Sequence, residues 1–329
     1  MTNPLLDANS CDNLANLRGN DLLELLATVE SFLVEYRDNL GLPDNATFGV
    51  EIEYEMLPRF LVTGYINHKL PRWDSGYDGT VSTGGEIRSP ILSDTKECWM
   101  ELKKICKYLK RLNAVMNHHA GGHIHVGVQS LGSKTESWRL FVKTYMLYEH
   151  VMMRFFYGDK INGRSTLSHY APPIADRIYE NIQEINEASD ATDIIRELPD
   201  GKYGAINFGH IHTYYLDSIS SGSTIELRCP NATSEHIVWQ NNINAFAKML
   251  DTCKNRAIDE SFLNYQIKKY KTKKGKVYRN EVILKSALEY ADLIFDNNLD
   301  KMYFLRQYIK DFQPGVEAKE AIHAKSFIK

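Results

Sequence analysis

Residues 48–56 alternate between apolar and polar side chains, which is the period of a β-strand with one buried face. The apolar positions are Phe48, Val50, Ile52 and Tyr54. The acidic positions, expected on the opposite face, are Glu51, Glu53 and Glu55. A half-exposed strand with a solvated acidic face would show the same pattern, so its meaning depends on the other strands.

Three further short segments repeat this design of one apolar and one polar face. They lie at residues 86–90, 121–128 and 224–228. The polar positions expected to share one face are Glu86, His123, His125, Glu226 and Arg228. Such alternation is typical of an antiparallel sheet with helices packed on one face. The opposite face, concentrated in Glu, His and Arg, is predicted to be the floor of an active site.

Helical periodicity surrounds these strands. Amphipathic helices are predicted at residues 20–40, 95–112, 135–156, 281–295 and 299–312. Asn20 is expected to cap the first helix. The apolar stripe of that helix comprises Leu22, Leu25, Leu26, Val29, Leu33 and Tyr36. Residues 57–85 are predicted to be rich in turns, and residues 158–170 to form a polar loop over the site.

The order of these elements predicts an α+β fold with helical additions at both ends. We expect an N-terminal helical extension at residues 1–45, a catalytic domain at 46–258, and a C-terminal helical extension at 259–329 that could pack on the same domain. A basic run occupies residues 268–276. It is either a solvated loop or a docking surface for an acidic or peptide substrate, and the extension could also support a homo-oligomer contact.

Composition narrows the class of protein. The chain has 329 residues, of which 43% are hydrophobic, and a formal net charge of −3, so it can bury a large core and carries no general attraction for nucleic acid. No leader sequence or membrane span is predicted, and we expect a cytoplasmic protein. Its five cysteines have no paired metal-ligand spacing and are expected to be reduced.

The acidic face itself favours divalent cations. Alternate residues of a strand lie about 6.6–6.8 Å apart, too close for full ionisation in a poorly solvated cleft without a positive partner. Two hard cations that retain waters, such as Mg²⁺ or Mn²⁺, could be held by Glu51, Glu53, Glu86, Glu226 and His123. Arg228 would repel a metal, so it fits a phosphate held between metal and guanidinium, although an Arg–Glu pair that stabilises the sheet is the alternative.

Several motifs in a fixed order then resemble the amidoligase family, which belongs with glutamine synthetase and glutamate–cysteine ligase. The motifs are Gly49-Val-Glu-Ile-Glu53, Asp78-Gly, Glu86-Ile-Arg-Ser-Pro90, Gly122-His-Ile-His-Val126, Asn207 and Thr224-Ile-Glu-Leu-Arg228. Weaker matches occur at Arg164, at residues 170–172, and at Asn231-Ala-Thr before a helix that contains Trp239. The resemblance covers about residues 48–250, and it departs from the family at Thr80, where relatives more often have Ser after Asp-Gly.

The resemblance implies a role for each matched position. Glu51 and Glu53 would divide between two metal sites, with Glu86 joining Glu53, and with His123 and Glu226 joining Glu51. Phosphate or nucleotide contacts would come from Arg228 on the γ-phosphate, and from His125, Asn207 and Arg164. His125 could exchange roles with His123. The residues implied in catalysis are Glu53, Glu226 and Arg228.

The implied activity is an ATP- and Mg²⁺- or Mn²⁺-dependent carboxylate–amine ligase of the glutamine synthetase/glutamate–cysteine ligase fold type, acting through an acyl phosphate. Its partners would be small-molecule or peptide carboxylates and amines, not nucleic acid or membrane. Glu55 is either a base or a solvated residue. His210 and His212 sit on a possible strand after Asn207, where they either line the pocket or have a structural or solvated role. Two alternatives stay open: a zinc metallohydrolase that uses His123 and His125 as ligands, and a noncatalytic nucleotide- or metal-binding protein.

Overall fold

The structure is a computed structural model that describes residues 7–79, 81, 83–116, 119–156, 167–199, 201–219, 222–256, 258–272 and 283–309. Arg164 and most of the predicted loop at residues 158–170 lie outside these residues. The part of the predicted basic run from residue 273 onward also lies outside them.

The described residues form helices that alternate with short strands. The helices are α1 (Gly19–Ser31), α2 (Arg59–Lys69), α3 (Lys96–Arg111), α4 (Thr135–Phe156), α5 (Leu167–Tyr170), α6 (Ala175–Glu180), α7 (Ile182–Glu187), α8 (Ala191–Glu197), α9 (His236–Asn255), α10 (Glu260–Lys268), α11 (Leu284–Ile294) and α12 (Asn298–Tyr308). The strands are β1 (Thr47–Glu55), β2 (Asp74–Gly76), β3 (Gly84–Arg88), β4 (Leu92–Ser93), β5 (Gly122–Gly127), β6 (Ile206–Asn207) and β7 (Thr224–Leu227).

All seven strands found in the described part of the chain belong to one antiparallel sheet. Its order is β2-β3-β1-β5-β7-β6, and β4 pairs with the first residues of β1. The four strands predicted from alternation are β1, β3, β5 and β7, and they are consecutive neighbours. The predicted mixture of helices and an antiparallel sheet is therefore confirmed.

The apolar face of the sheet is buried against helices. The ring of Phe48 stacks on Trp99 of α3 with the ring centroids 4.6 Å apart, and α9 packs against β5 and α4. Gly122 permits part of this contact, since a Cβ there would lie 2.8 Å from the ring of Trp239 in α9. The helices thus cover one face and leave the polar face of the same strands open for chemistry.

The first helix is shorter than its apolar stripe predicts. It ends at Ser31, Arg18 rather than Asn20 is its N-cap residue, and Leu33 is 82% exposed. Beyond it the chain is extended, because Tyr303 accepts a hydrogen bond from the amide of Glu35 and donates one to its carbonyl oxygen. The prediction of a helix reaching residue 40 is wrong because these contacts from α12 outweigh the local periodicity.

Two other predictions near the site are corrected. The segment predicted as turns contains helix α2, whose fully buried residues, Val62 and Ile66, are too few to give a clear period. The possible strand carrying His210 and His212 is absent from the described residues, because β6 ends at Asn207. The amide of Gly209 donates to the Asn207 side chain at 2.9 Å and turns the chain there.

The two ends of the described chain pack on each other. The amides of Leu14 and Ala15 donate to the carboxylate of Asp292 at 3.0 and 2.7 Å, and Lys301 donates to the carbonyl oxygen of Asp12 at 2.6 Å. Helix α12 also contacts α1, α4 and α9. The division into three segments stays a prediction. None of the described helices is long and apolar enough to cross a membrane.

Candidate active site

The polar face of the sheet is assembled by the register of its strands. Glu51 of β1 lies directly opposite His123 of β5, and Glu53 lies opposite Glu86 of β3. Residues directly opposite in an antiparallel pair share one face of the sheet. The register therefore brings together four of the five predicted metal ligands without any contribution from loops.

Glu226, the fifth predicted ligand, sits at the centre of a second group of contacts. It lies opposite His125 on one side and Asn207 on the other. The Asn207 amide donates to its Oε2 at 2.7 Å, and His210 Nε2 lies 3.1 Å from the same oxygen. Arg228 donates to Oε1 at 2.5 Å. Every predicted site residue within the described part of the chain thus lies on one surface.

Glu51 is held ionised by the two histidines. His123 Nδ1 lies 2.9 Å from its Oε2, and His125 Nε2 lies 3.3 Å from its Oε1. Burial raises the pKa of Glu51, but hydrogen bonds from His123 and His125 lower it well below its ordinary value. Burial likewise raises the pKa of Glu226, and the His210 hydrogen bond together with nearby positive charges brings it down to about 2.

Glu86 shows the opposite behaviour. Burial and the charges of Glu51, Asp78 and Glu53 raise the pKa of Glu86 to about 8, against a smaller opposing effect of Arg88. Crowded carboxylates that resist ionisation are the arrangement that a divalent cation relieves. The donor set of carboxylate oxygens and imidazole nitrogens suits Mg²⁺ or Mn²⁺ around phosphates.

Potential ligand atoms converge in three groups, each within 4.8 Å. The groups are Glu53, Asp78 and Glu86; Glu51, Glu86 and His123; and Glu51, His125 and Glu226. Glu53 shares a group with Glu86, and Glu51 shares one with Glu226, while their division between two metal ions stays a prediction. His125 is the histidine that joins Glu51 and Glu226 in one group, while His123 lies with Glu51 and Glu86.

Asp78 and Arg88 were not predicted as site residues, and the contact of His210 with Glu226 was not predicted either. Asp78 joins Glu53 and Glu86, although only its Asp-Gly motif had been recognised. Arg88 lies opposite Glu51, donates to Asp74 and lies 3.7 Å from Glu86. His210 contacts Glu226 from the loop after β6. Arg88 could have been found from the alternation within the predicted strand at residues 86–90, whereas the contact of His210 with Glu226 depends on the turn after β6.

A cavity of about 380 Å³ opens at the end of the sheet where β1 begins. Glu51 and His125 lie on its floor, and His210, His212 and Arg88 contribute polar walls. Its other lining residues are Thr47, Phe48, Gly49, Val50, Ser89, Pro90, Ile91, Gln129, Gly209, Ile219, Gly222, Ser223 and Thr224. A cavity of mixed polarity beside clustered carboxylates can hold a small ligand.

Glu55, two residues past Glu53, belongs to none of the three ligand groups found among the described residues.

Comparison with known proteins gives one family. A family model described as "Putative amidoligase enzyme" matches residues 61–250 of this chain. That range contains Glu86, His123, Glu226 and Arg228 but begins after β1, so the sheet register joins the remaining acidic residues to the matched ones. No curated protein sequence matches the chain.

Among solved structures, a bifunctional glutathione synthetase from Pasteurella multocida is similar with a TM-score of 0.44 and 8% sequence identity. The similarity covers 81% of this chain and 47% of that chain. The chain therefore spans about half the length of that protein, and a similarity of this size carries no information on the chemistry of the site.

Proposed function

Because the chain belongs to the amidoligase family whose model matches residues 61–250, we propose that it is an ATP-dependent carboxylate–amine ligase. The family supports a ligase in general, and the finer assignment rests on the polar face of the sheet. The observation that carries it is the surplus of buried carboxylates beside Arg228, an arrangement suited to metal-bound phosphate.

Two cations, Mg²⁺ or Mn²⁺, are proposed to bind the groups that contain Glu53 and Glu51. Glu53, Asp78 and Glu86 would hold one cation, and Glu51, Glu226 and a histidine the other. Bound there, the cations would neutralise the charge of the ATP phosphates during transfer. The fit is supported by Glu86, whose raised pKa of about 8 reflects crowding by like charges.

The nucleotide is proposed to lie in the cavity beside β1. His125 lines that cavity, and Asn207 lies next to its lining residue Gly209. Arg228 is only 16% exposed and already oriented by Glu226, so little side-chain freedom would be lost when it contacts the transferred phosphoryl group. The glutamine synthetase/glutamate–cysteine ligase fold type and the three-segment division of the chain are parts of this proposal.

The reaction would proceed in two transfers. A substrate carboxylate oxygen attacks the γ-phosphorus of ATP, the bond to ADP breaks, and an acyl phosphate forms while Arg228 stabilises charge on the phosphoryl oxygens. An amine then attacks the carbonyl carbon, phosphate leaves with the electrons of the broken C–O bond, and the nitrogen loses a proton to a base. The product is an amide, ADP and phosphate. Glu55 is a candidate for that base by position alone.

The zinc hydrolase alternative fits the geometry less well. In the part of the chain that the structure describes, no group of three potential ligands contains both His123 and His125. Each histidine is instead surrounded by carboxylates, and carboxylate-rich sets suit harder cations than zinc.

ATP turnover tests the proposal. Purified protein with Mg²⁺ would be screened against pools of amino acids, polyamines and small peptides, and release of ADP and phosphate measured. Glu226→Gln and Arg228→Ala should each lower turnover by about 100-fold or more. The exposed residues Glu24 and Arg111 provide matched controls, Glu24→Gln and Arg111→Ala, which should retain it. Tightly held zinc without nucleotide binding, or unchanged turnover in both site variants, would overturn the proposal.

A further inference from the structure

A second cavity, of about 460 Å³, lies at the opposite end of the acidic face. It is lined by Met56, Leu57, Pro58, Arg59, Tyr77, Val81, Thr83 and Gly84. The first cavity is built where β1 begins and β3 ends, whereas this one is built where β1 ends and β3 begins. The carboxylates of the site therefore lie between two cavities. Two lining residues of the second cavity, Tyr77 and Gly84, are close in sequence to Asp78 and Glu86.

Arg59 brings a positive charge to this cavity. It makes no ion pair with any residue that the structure describes, and its guanidinium carbon lies 5.1 Å from the centre of the Tyr77 ring. Arg88, which faces the first cavity, is by contrast paired with Asp74. A planar guanidinium that lies against an aromatic ring, with no carboxylate partner in the described part of the chain, is suited to receive a carboxylate from a ligand.

The backbone holds Arg59 in this place. A Cβ on Gly85 would lie 2.9 Å from both Cγ and Cδ of Arg59, so the stem of Arg59 rests on the backbone of β3 next to Glu86. Met56 turns the chain between β1 and Arg59 with a φ of 58°, a left-handed conformation that is unfavourable for a residue with a side chain. Strained backbone of this kind persists where the surrounding structure requires it.

The remaining wall of the cavity is apolar and accessible. Met56 is 70% exposed and Tyr77 is 69% exposed, so apolar surface at this cavity is in contact with solvent. The hydroxyl of Thr83 lies 3.5 Å from the sulfur of Met56 and ties the two sides of the cavity together. A ligand seated here would meet a cation and two apolar contacts at once.

We propose that this second cavity binds the carboxylate substrate of the ligase, and that Arg59 pairs with a carboxylate of that substrate other than the one that is activated. The reacting carboxylate must meet the transferred phosphoryl group over the acidic face, so the guanidinium beside Tyr77 is left for a second anionic group. The substrate class is therefore a dicarboxylate whose hydrocarbon part contacts Met56 and Tyr77. This inference rests on the proposed function and makes Arg59 a determinant of specificity.

Two probes of equal chain length test the inference: glutarate, with two carboxylates, and pentanoate, with one. Their binding would be measured by calorimetry in the presence of Mg²⁺ and the nonhydrolysable ATP analogue AMP-PNP. We expect the wild-type protein to bind glutarate at least 10-fold more tightly than pentanoate. Arg59→Met keeps a stem of similar length but removes the charge, so it should bring the ratio to within about 2-fold and leave pentanoate unaffected.

Arg111 provides a matched control, because its guanidinium carbon lies 5.4 Å from the centre of the Tyr108 ring on α3, away from the polar face of the sheet. Arg111→Met should retain the preference for glutarate. Failure of both probes to bind the wild-type protein, or a preference that survives in Arg59→Met, would overturn the inference. Binding of Mg²⁺ and AMP-PNP should be equal in all three proteins. Its absence from the wild-type protein would instead overturn the proposed function.

Discussion

The protein buries acidic side chains in two regions, and they differ in how their charge is balanced. In the terminal region, Asp300 of α12 is 2% exposed, and both of its oxygens have positive partners. Oδ1 accepts hydrogen bonds from Arg37 at 2.6 Å and Asn244 at 2.9 Å, and Oδ2 from Lys248 at 2.5 Å and Asn297 at 3.0 Å. One carboxylate is thus matched by two cations and two amides.

On the polar face of the sheet the balance is reversed. Glu53, Glu86 and Glu226 are each at most 8% exposed, and Glu51 and Asp78 lie beside them. Arg228 contacts Glu226, and Arg88 reaches Glu86 only at 3.7 Å. A fully paired buried charge holds elements together, whereas a surplus of one sign favours an external partner. The charge balance therefore distinguishes a structural cluster from the candidate binding site.

The largest expected effect concerns the paired cluster. Replacing Asp300 with Ala leaves Lys248 and Arg37 buried without their counter-ion, so the free energy of unfolding should fall by about 3–5 kcal/mol. Urea denaturation followed by circular dichroism would measure it. The double variant D300A/K248M should recover part of the loss, because it also removes a buried ammonium. A loss below about 1 kcal/mol would contradict the structural role of this cluster.

A smaller effect of opposite sign is expected from metal binding. Mg²⁺ at about 100 times its dissociation constant should raise the free energy of unfolding by about 2.7 kcal/mol, because a ligand that binds only the folded state stabilises it. Thermal denaturation with Mg²⁺ or with chelator would show the shift. Glu86→Gln should greatly reduce it, whereas D300N should retain it. Equal shifts in the wild type and in Glu86→Gln would show that Glu86 does not bind the metal.

The smallest expected effect is a gain in the free energy of unfolding of the metal-free protein when Glu86 is replaced with Gln. The pKa of Glu86 is raised to about 8, so the folded state binds a proton that the unfolded state has released, and stability falls as the pH rises from about 4.5 to about 8. At pH 8 the variant should therefore be more stable than the wild type by about 1 kcal/mol, a value reduced by solvent screening. Urea unfolding of both proteins at pH 5 and pH 8 would measure this difference. A Glu86→Gln variant that is less stable than the wild type at pH 8 would contradict the surplus of negative charge.

The polar face could be predicted from sequence because a strand has a period of two residues. Once Glu51, Glu53, His123 and Glu226 were placed on one side of their strands, any antiparallel register that buried the apolar side would gather them. Sequence also identified α3, whose cap residue Thr95 accepts a hydrogen bond from the amide of Cys98.

What sequence could not predict depends on contacts between distant segments. The end of α1 is set by Tyr303, which lies far along the chain. Arg59 begins a helix that the sequence did not predict, and its stem lies against Gly85. His210 was placed on a strand, but it lies in the loop after β6 and contacts Glu226. Asp78 shows the same limit, since its motif was recognised but its place beside Glu53 and Glu86 required the fold.

The most direct test of the account is the number of divalent cations bound with nucleotide. Titration of Mn²⁺ into the protein with AMP-PNP, followed by electron paramagnetic resonance, would count them. The account predicts two Mn²⁺ ions per chain in the wild-type protein, fewer in Glu86→Gln, and two in the control D300N. A single tightly held zinc ion with no nucleotide-dependent binding of Mn²⁺ would contradict it.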